Sequence, residues 1–195
     1  MKITPLILPQ LPITRKGLTE FTYSRFLCPY LSGFKGITIF MDADMLVLCD
    51  IYQLVEQHSA FNAVSVAQHQ QRFEWPSLMV FTNGSCQKLT PEFVDNGANK
   101  LFDFAWASNI GNLPSEYNHC IGYDAPRDDA KIVHFTQGIP CFQETADSEY
   151  QQEWMDELAS CTSTVPWFEI MGGSVHAEPV LERYRAKQEA SHEPS

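Results

Sequence analysis

Two carboxylates, Asp42 and Asp44, stand where the apolar run Gly36-Ile37-Thr38-Ile39-Phe40-Met41 breaks. The run is rich in β-branched and aromatic residues and reads as a buried strand. Alternate side chains of an extended chain share a face, so Asp42 and Asp44 project together with Cα atoms about 7 Å apart. Two like charges so placed beside apolar neighbours repel each other and lose hydration unless something compensates them, and a divalent cation does both. The same spacing also occurs as a solvated turn or a helix N-cap. A further candidate ligand is His134, at the far end of Ala130-Lys131-Ile132-Val133-His134-Phe135, where a structural or exposed histidine is the alternative.

The elements that must position these groups follow from periodicity and punctuation. A helix is expected over 19–31, then the strand of the Ile37 run, a helical turn over 51–57 capped by Asp50, and strands at 63–67 and 77–81, the latter closed by Asn83-Gly84. Thr90 and Glu92 predict a short helix over 91–99, and Gly111 and Pro114 make 109–118 read as a loop. A strand over 130–135 and an amphipathic helix over 149–160 complete the pattern. Strands alternating with helices indicate an α/β protein, in which ligands gather at the carboxyl ends of strands, where both Asp42/Asp44 and His134 fall. One domain over 1–178 and a polar tail over 179–195, helical or frayed, are expected.

Composition narrows the function. The chain of 195 residues, 44% apolar and 12% aromatic, suffices for one core. Its net charge is −11 and its 13 Lys and Arg are scattered, which disfavours nucleic acid as a partner. The six cysteines form no C-x-x-C pair, and no secretory leader precedes them, so they read as reduced core residues of a cytoplasmic protein. No apolar stretch approaches the roughly 20 residues that a membrane span requires.

Five ordered runs then carry a family resemblance: 19–26 (Thr-Glu-Phe-Thr-Tyr-Ser-Arg-Phe), 40–51 around Asp42-Ala43-Asp44, 75–83 (Trp-Pro-Ser-Leu-Met-Val-Phe-Thr-Asn), 110–118 (Ile-Gly-Asn-Leu-Pro-Ser-Glu-Tyr-Asn) and 133–140 (Val-His-Phe-Thr-Gln-Gly-Ile-Pro). Together they resemble bacterial glycosyltransferases similar to family 8. The resemblance implies a GT-A, Rossmann-like α/β fold with a mixed, mainly parallel sheet, and retaining transfer of a hexose from a UDP-sugar to a glycan or other acceptor, with Mn²⁺ or Mg²⁺. In this family the metal stabilises the charge that develops on the diphosphate leaving group. Asp42, Asp44 and His134 match the metal ligands. Imidazole among them favours Mn²⁺ mildly. Arg25, Ala43 and Gly138 match donor-binding positions, the last through backbone N–H groups. Asn83 and Asn109 would meet sugar hydroxyls, with turn roles the alternative. Trp75 and Trp106 would stack on sugar or belong to the core. Asp124 is the nearest carboxylate for a nucleophile, and a surface turn explains it as well.

The chain also departs from that pattern. No lysine follows the histidine motif, and 107–109 lacks the expected acidic residues. The first βα unit of such relatives is not matched, and the run Ile3-Thr4-Pro5-Leu6-Ile7-Leu8 resembles their second strand. An N-terminally truncated form is therefore expected, with an apolar sheet edge beside the metal site that a homodimer would cover. A degenerate, non-catalytic domain that binds a nucleotide sugar or a partner is the alternative function. A phosphohydrolase of the haloacid dehalogenase type fits less well, because Leu46 stands where that family has Thr or Val.

Overall fold

The computed structural model describes residues 1–19, 21–164 and 182. Its strands are β1 (Ile37–Met41), β2 (Met45–Val47), β3 (Val64–Ala67), β4 (Leu78–Thr82), β5 (Ile110–Leu113), β6 (His119–Cys120) and β7 (Ile132–His134). The α-helices are α1 (Cys28–Leu31), α2 (Ile51–Glu56), α3 (Pro91–Asp95) and α4 (Gln151–Thr164). These elements form two compact units, one of residues 1–43 and 49–118, the other of residues 44–48 and 119 onward.

The first unit is built on a sheet of order β1-β4-β3-β5. Strand β4 runs antiparallel to both β1 and β3, and β3 runs parallel to β5. Phe40, Val64, Val66, Met79 and Phe81 from the sheet bury against Phe26, Leu27 and Trp106, each large side chain contributing roughly 1.5–3 kcal/mol. Helix α2 starts where Asp50 accepts a hydrogen bond from the Tyr52 N–H at 3.0 Å, and Thr90 caps α3 in the same way from Phe93. Gly33 and Gly36, at φ of 64° and 69°, turn the chain from α1 into β1 where a Cβ would be strained. Burial pushes the thiols of Cys28 and Cys86 up to about 12, which keeps them neutral. Cys120 and Cys141 are also buried, whereas Cys161 is exposed, contrary to a wholly internal set.

The second unit has a sheet of order β2-β7-β6, with β2 antiparallel and β6 parallel to β7. Leu46, Val133 and Phe135 pack with Ile121 and Ala130. Helix α4 turns Met155 and Leu158 onto Cys141, the i, i+3 spacing that its sequence predicts.

Several expectations change. Both sheets are mixed, as expected, but antiparallel pairings outnumber parallel ones by three to two. The helix expected from 19 begins instead as a 3-10 turn at Ser24–Leu27 and becomes α1 at Cys28. The Thr22 hydroxyl donates to the Thr19 carbonyl and accepts from the Thr19 N–H, holding a turn that competes with helix. Residues 3–8 form no strand: Pro5 and Pro9 lack ladder donors, and a 3-10 turn occupies Leu8–Gln10. The expected loop at 109–118 contains β5. Helix α3 stops at Asp95, whose carboxylate accepts from the backbone N–H groups of Thr14 and Arg15. The tail over 179–195 lies outside the described residues except for Glu182.

Candidate active site

His134 and Asp44 meet within the second unit because β2 and β7 pair in one register. Met45 lies opposite His134, and the Phe135 N–H donates to the Asp44 carbonyl at 3.0 Å. This sets His134 Nε2 3.3 Å from Asp44 Oδ1. The imidazole is 5% exposed and the carboxylate 42%, so a buried nitrogen and a reachable oxygen face one place. Metal–ligand bonds of about 2.0–2.2 Å at right angles put neighbouring donor atoms about 3 Å apart. The pair therefore fits one edge of a cation's coordination shell, and equally a direct imidazole–carboxylate contact.

Asp42 follows β1 in the first unit, and chain connectivity keeps its Cα within about 7 Å of that of Asp44. Its N–H donates to the Ser77 carbonyl at 3.0 Å, continuing the β1–β4 ladder. Arg25 Nη2 stands 3.1 Å from Asp42 Oδ1. That oxygen forms no directed hydrogen bond, so the attraction between the two is Coulombic in character. Arg25 is itself buried. It donates to the carbonyls of Pro76 at 3.0 Å and Phe21 at 3.4 Å, and lies over the Phe40 ring. It is thus no solvated helix-face arginine: it ties the segment before α1 to the Asp42 end of the sheet. Ala43 is exposed in the turn between the two aspartates.

Other expected residues sit elsewhere. Asn83 is wholly buried and donates to the Lys35 carbonyl and the Thr38 hydroxyl. Because β4 is antiparallel to β1, Asn83 stands opposite Gly36, at the other end of β1 from Asp42 and about 20 Å from it along the strand at strand rise. Asn109 precedes β5, whose direction matches β1, so it too lies at the opposite sheet end, where it donates to the Phe61 carbonyl. Neither asparagine is brought to Asp42. Trp106 belongs to the core, and its indole N–H donates to the Leu101 carbonyl. Trp75, half-buried, donates to the His69 carbonyl and stacks under Arg72. In the second unit, Asp124 accepts from the Cys120 N–H at 2.8 Å. The Gly138 N–H donates to the Phe135 carbonyl at 2.9 Å, within a backbone at φ 120° that suits glycine.

The sequence reading did not anticipate two features. One is Cys120, whose sulfur lies 3.9 Å from His134 Nδ1. The other is a cavity of about 70 Å³ in the first unit, lined by Gln68, His69, Asn112, Ser115 and Asn118 at the carboxyl ends of β3 and β5. The strand β5 was its only available signal, and Gly111 and Pro114 obscured it.

A mixed α/β fold is shared with solved glycosyltransferases. The chain superposes on the WbbM bifunctional glycosyltransferase in its apo form with a TM-score of 0.54 and 13% identity, over 88% of this chain and 39% of that one. On the glycosyltransferase GlyE of Streptococcus pneumoniae TIGR4 the TM-score is 0.50 and the identity 13%, over 86% and 47%. The chain thus has a glycosyltransferase fold and spans less than half the length of either of these proteins. It belongs to the family of Protein CDI of Arabidopsis thaliana, to which it is 30% identical over 81% of its own length and 74% of that protein. No family model matches the chain.

Proposed function

We propose that this protein is a metal-dependent glycosyltransferase of the family 8 type, moving a hexose from a UDP-sugar, with retention, to a glycan or lipid-linked acceptor. The observation that carries the proposal is the Asp44–His134 pair, held at 3.3 Å by strand register in a chain of glycosyltransferase fold. Glycosyl transfer by WbbM and GlyE, and the five ordered sequence runs, support the same reading.

Asp44 and His134, with Asp42 two residues upstream, would hold Mn²⁺ or Mg²⁺, which when bound would neutralise charge on a diphosphate leaving group. Arg25, 3.1 Å from Asp42, would orient that carboxylate through its positive charge. The half-exposed Asp44 is open to solvent and to a donor, while the buried His134 is fixed by its strand. The free thiols suit a reducing, cytoplasmic setting. Among the described residues no helix is long and apolar enough to cross a membrane. A second copy of the chain, pairing along the outer edge of β1, completes the proposal.

The test is release of UDP from a panel of UDP-sugars in the presence of Mn²⁺. Metal-dependent release is expected from at least one donor, with Asp44→Asn lowering it about 100-fold or more, the scale on which lost electrostatic stabilisation reads out. A folded protein that binds a nucleotide sugar without releasing UDP would instead be a non-catalytic binding domain.

A further inference from the structure

We infer that Cys120 is a positioning residue for His134, setting which ring nitrogen faces the cation site. The inference rests on the metal reading of Asp44 and His134. In the parallel pairing of β6 with β7, Cys120 lies directly opposite His134, and the Ile121 N–H donates to the His134 carbonyl at 2.9 Å. The two side chains share a face, with Cys120 Sγ 3.9 Å from His134 Nδ1, near the outer limit for a hydrogen bond to sulfur. Cys120 is fully buried and His134 is 4% exposed. With Nδ1 against the thiol, Nε2 is the nitrogen that meets Asp44 at 3.3 Å.

A histidine that binds a metal through one nitrogen carries its proton on the other and needs an acceptor there, commonly a carboxylate or a backbone carbonyl. Such an acceptor locks one tautomer. A thiol differs, because S–H donates weakly and sulfur accepts weakly. Cys120 therefore serves His134 in both states. Without a cation, Nε2–H donates to Asp44 and the thiol donates to bare Nδ1. With a cation on Nε2, the ring proton sits on Nδ1 and points at sulfur. One proton moves between ring nitrogens through solvent exchange, and neither buried nitrogen loses its partner. A cysteine that merely packs would serve no such purpose, and free Cys is often a small buried hydrophobe.

The two roles separate experimentally. Mn²⁺ binding is read from the EPR signal of the free ion for wild type, Cys120→Ala and Cys120→Ser, each shown folded by its thermal melt. Both replacements shed the sulfur, but only serine keeps a group that donates and accepts. Alanine is expected to weaken Mn²⁺ binding about 10-fold, and serine to stay within about 3-fold of wild type. Equal affinities for the two variants overturn the inference, whereas failure of the wild type to bind Mn²⁺ overturns the metal reading instead. A second readout needs neither variant: side-chain ¹⁵N NMR of the metal-free wild type at pH 8, with His134 assigned by its loss in His134→Gln. The Nε2–H tautomer is expected, and the Nδ1–H tautomer overturns the inference.

Discussion

Single residues decide how the first unit answers to pH. His58 is buried, with Nδ1 2.8 Å from the Ser65 hydroxyl and Nε2 2.8 Å from that of Thr82, so it links β3 to β4 through two hydroxyls that adapt to either tautomer. Burial holds its pKa below the ordinary value of about 6.5. The unfolded chain therefore binds this proton more readily than the folded one. Stability from His58 is complete above the ordinary value and declines as pH falls below it, levelling off once the folded state also protonates. Asp95 and Glu92 are shifted down as well, so their contribution is lost only at lower pH, as it falls past the ordinary carboxylate range. Urea midpoints measured between pH 8 and 5 are expected to fall for the wild type and to fall less for His58→Gln. A wild-type-minus-variant difference that stays flat across that window would refute the assignment.

At the scale of elements, β5 shows best what local signals conceal. A glycine and a proline marked 109–118 as a loop, yet Gly111 sits inside the strand because its missing side chain leaves room for neighbours. A Cβ there would collide with the Asn62 amide and the Ser65 hydroxyl, on the chain that β5 pairs with. Gly111→Ala is expected to lower stability by about 1–3 kcal/mol, the usual penalty for overpacking, measurable as a reduced urea midpoint at unchanged m. A neutral or stabilising alanine would mean that β3 and β5 separate more easily than their register implies. The same contrast explains what could be read beforehand. The β-branched run at 37–41, the Asp50 and Thr90 caps and the α4 stripe are local patterns, and each is found in place, except that the run forms an edge strand with only Phe40 buried instead of a wholly buried one. Strand direction is not local. The family resemblance assigned Asn83 and Asn109 to donor-sugar hydroxyls, and the antiparallel β4 sends Asn83 to the other end of the sheet from Asp42. Short strands such as β2 and β6 exist only through pairing with β7, which is why Asp44 and His134 were brought together by their strand-end positions and the family resemblance instead of by register, and Cys120 was not reached at all.

For the whole molecule the open question is what meets the outer edge of β1. The β1–β4 ladder bonds Gly36 to Asn83 and Asp42 to Ser77, so even-numbered residues face β4 and the backbone groups of Ile37, Ile39 and Met41 point outward. Among the described residues β1 ends the sheet, and Ile37 is 48% exposed. Edge strands are ordinarily protected by charge, proline or a bulge, and Ile37-Thr38-Ile39-Phe40-Met41 has no charged residue and no proline. The outward set is symmetric about Ile39, so a two-fold axis there pairs Ile39 with itself and Ile37 with Met41 of a second copy, the self-complementary arrangement that an isologous dimer needs. Each copy carries a net charge of −11. Like charge opposes association at low ionic strength, and raising salt to about 0.15 M shortens the screening length to about 8 Å and relieves it. Sedimentation velocity at micromolar concentration is expected to show a dimer that strengthens with salt, weakened by Ile39→Lys and kept by Ile39→Val. A wild type that stays monomeric at both salt concentrations would place something other than a second copy on this edge.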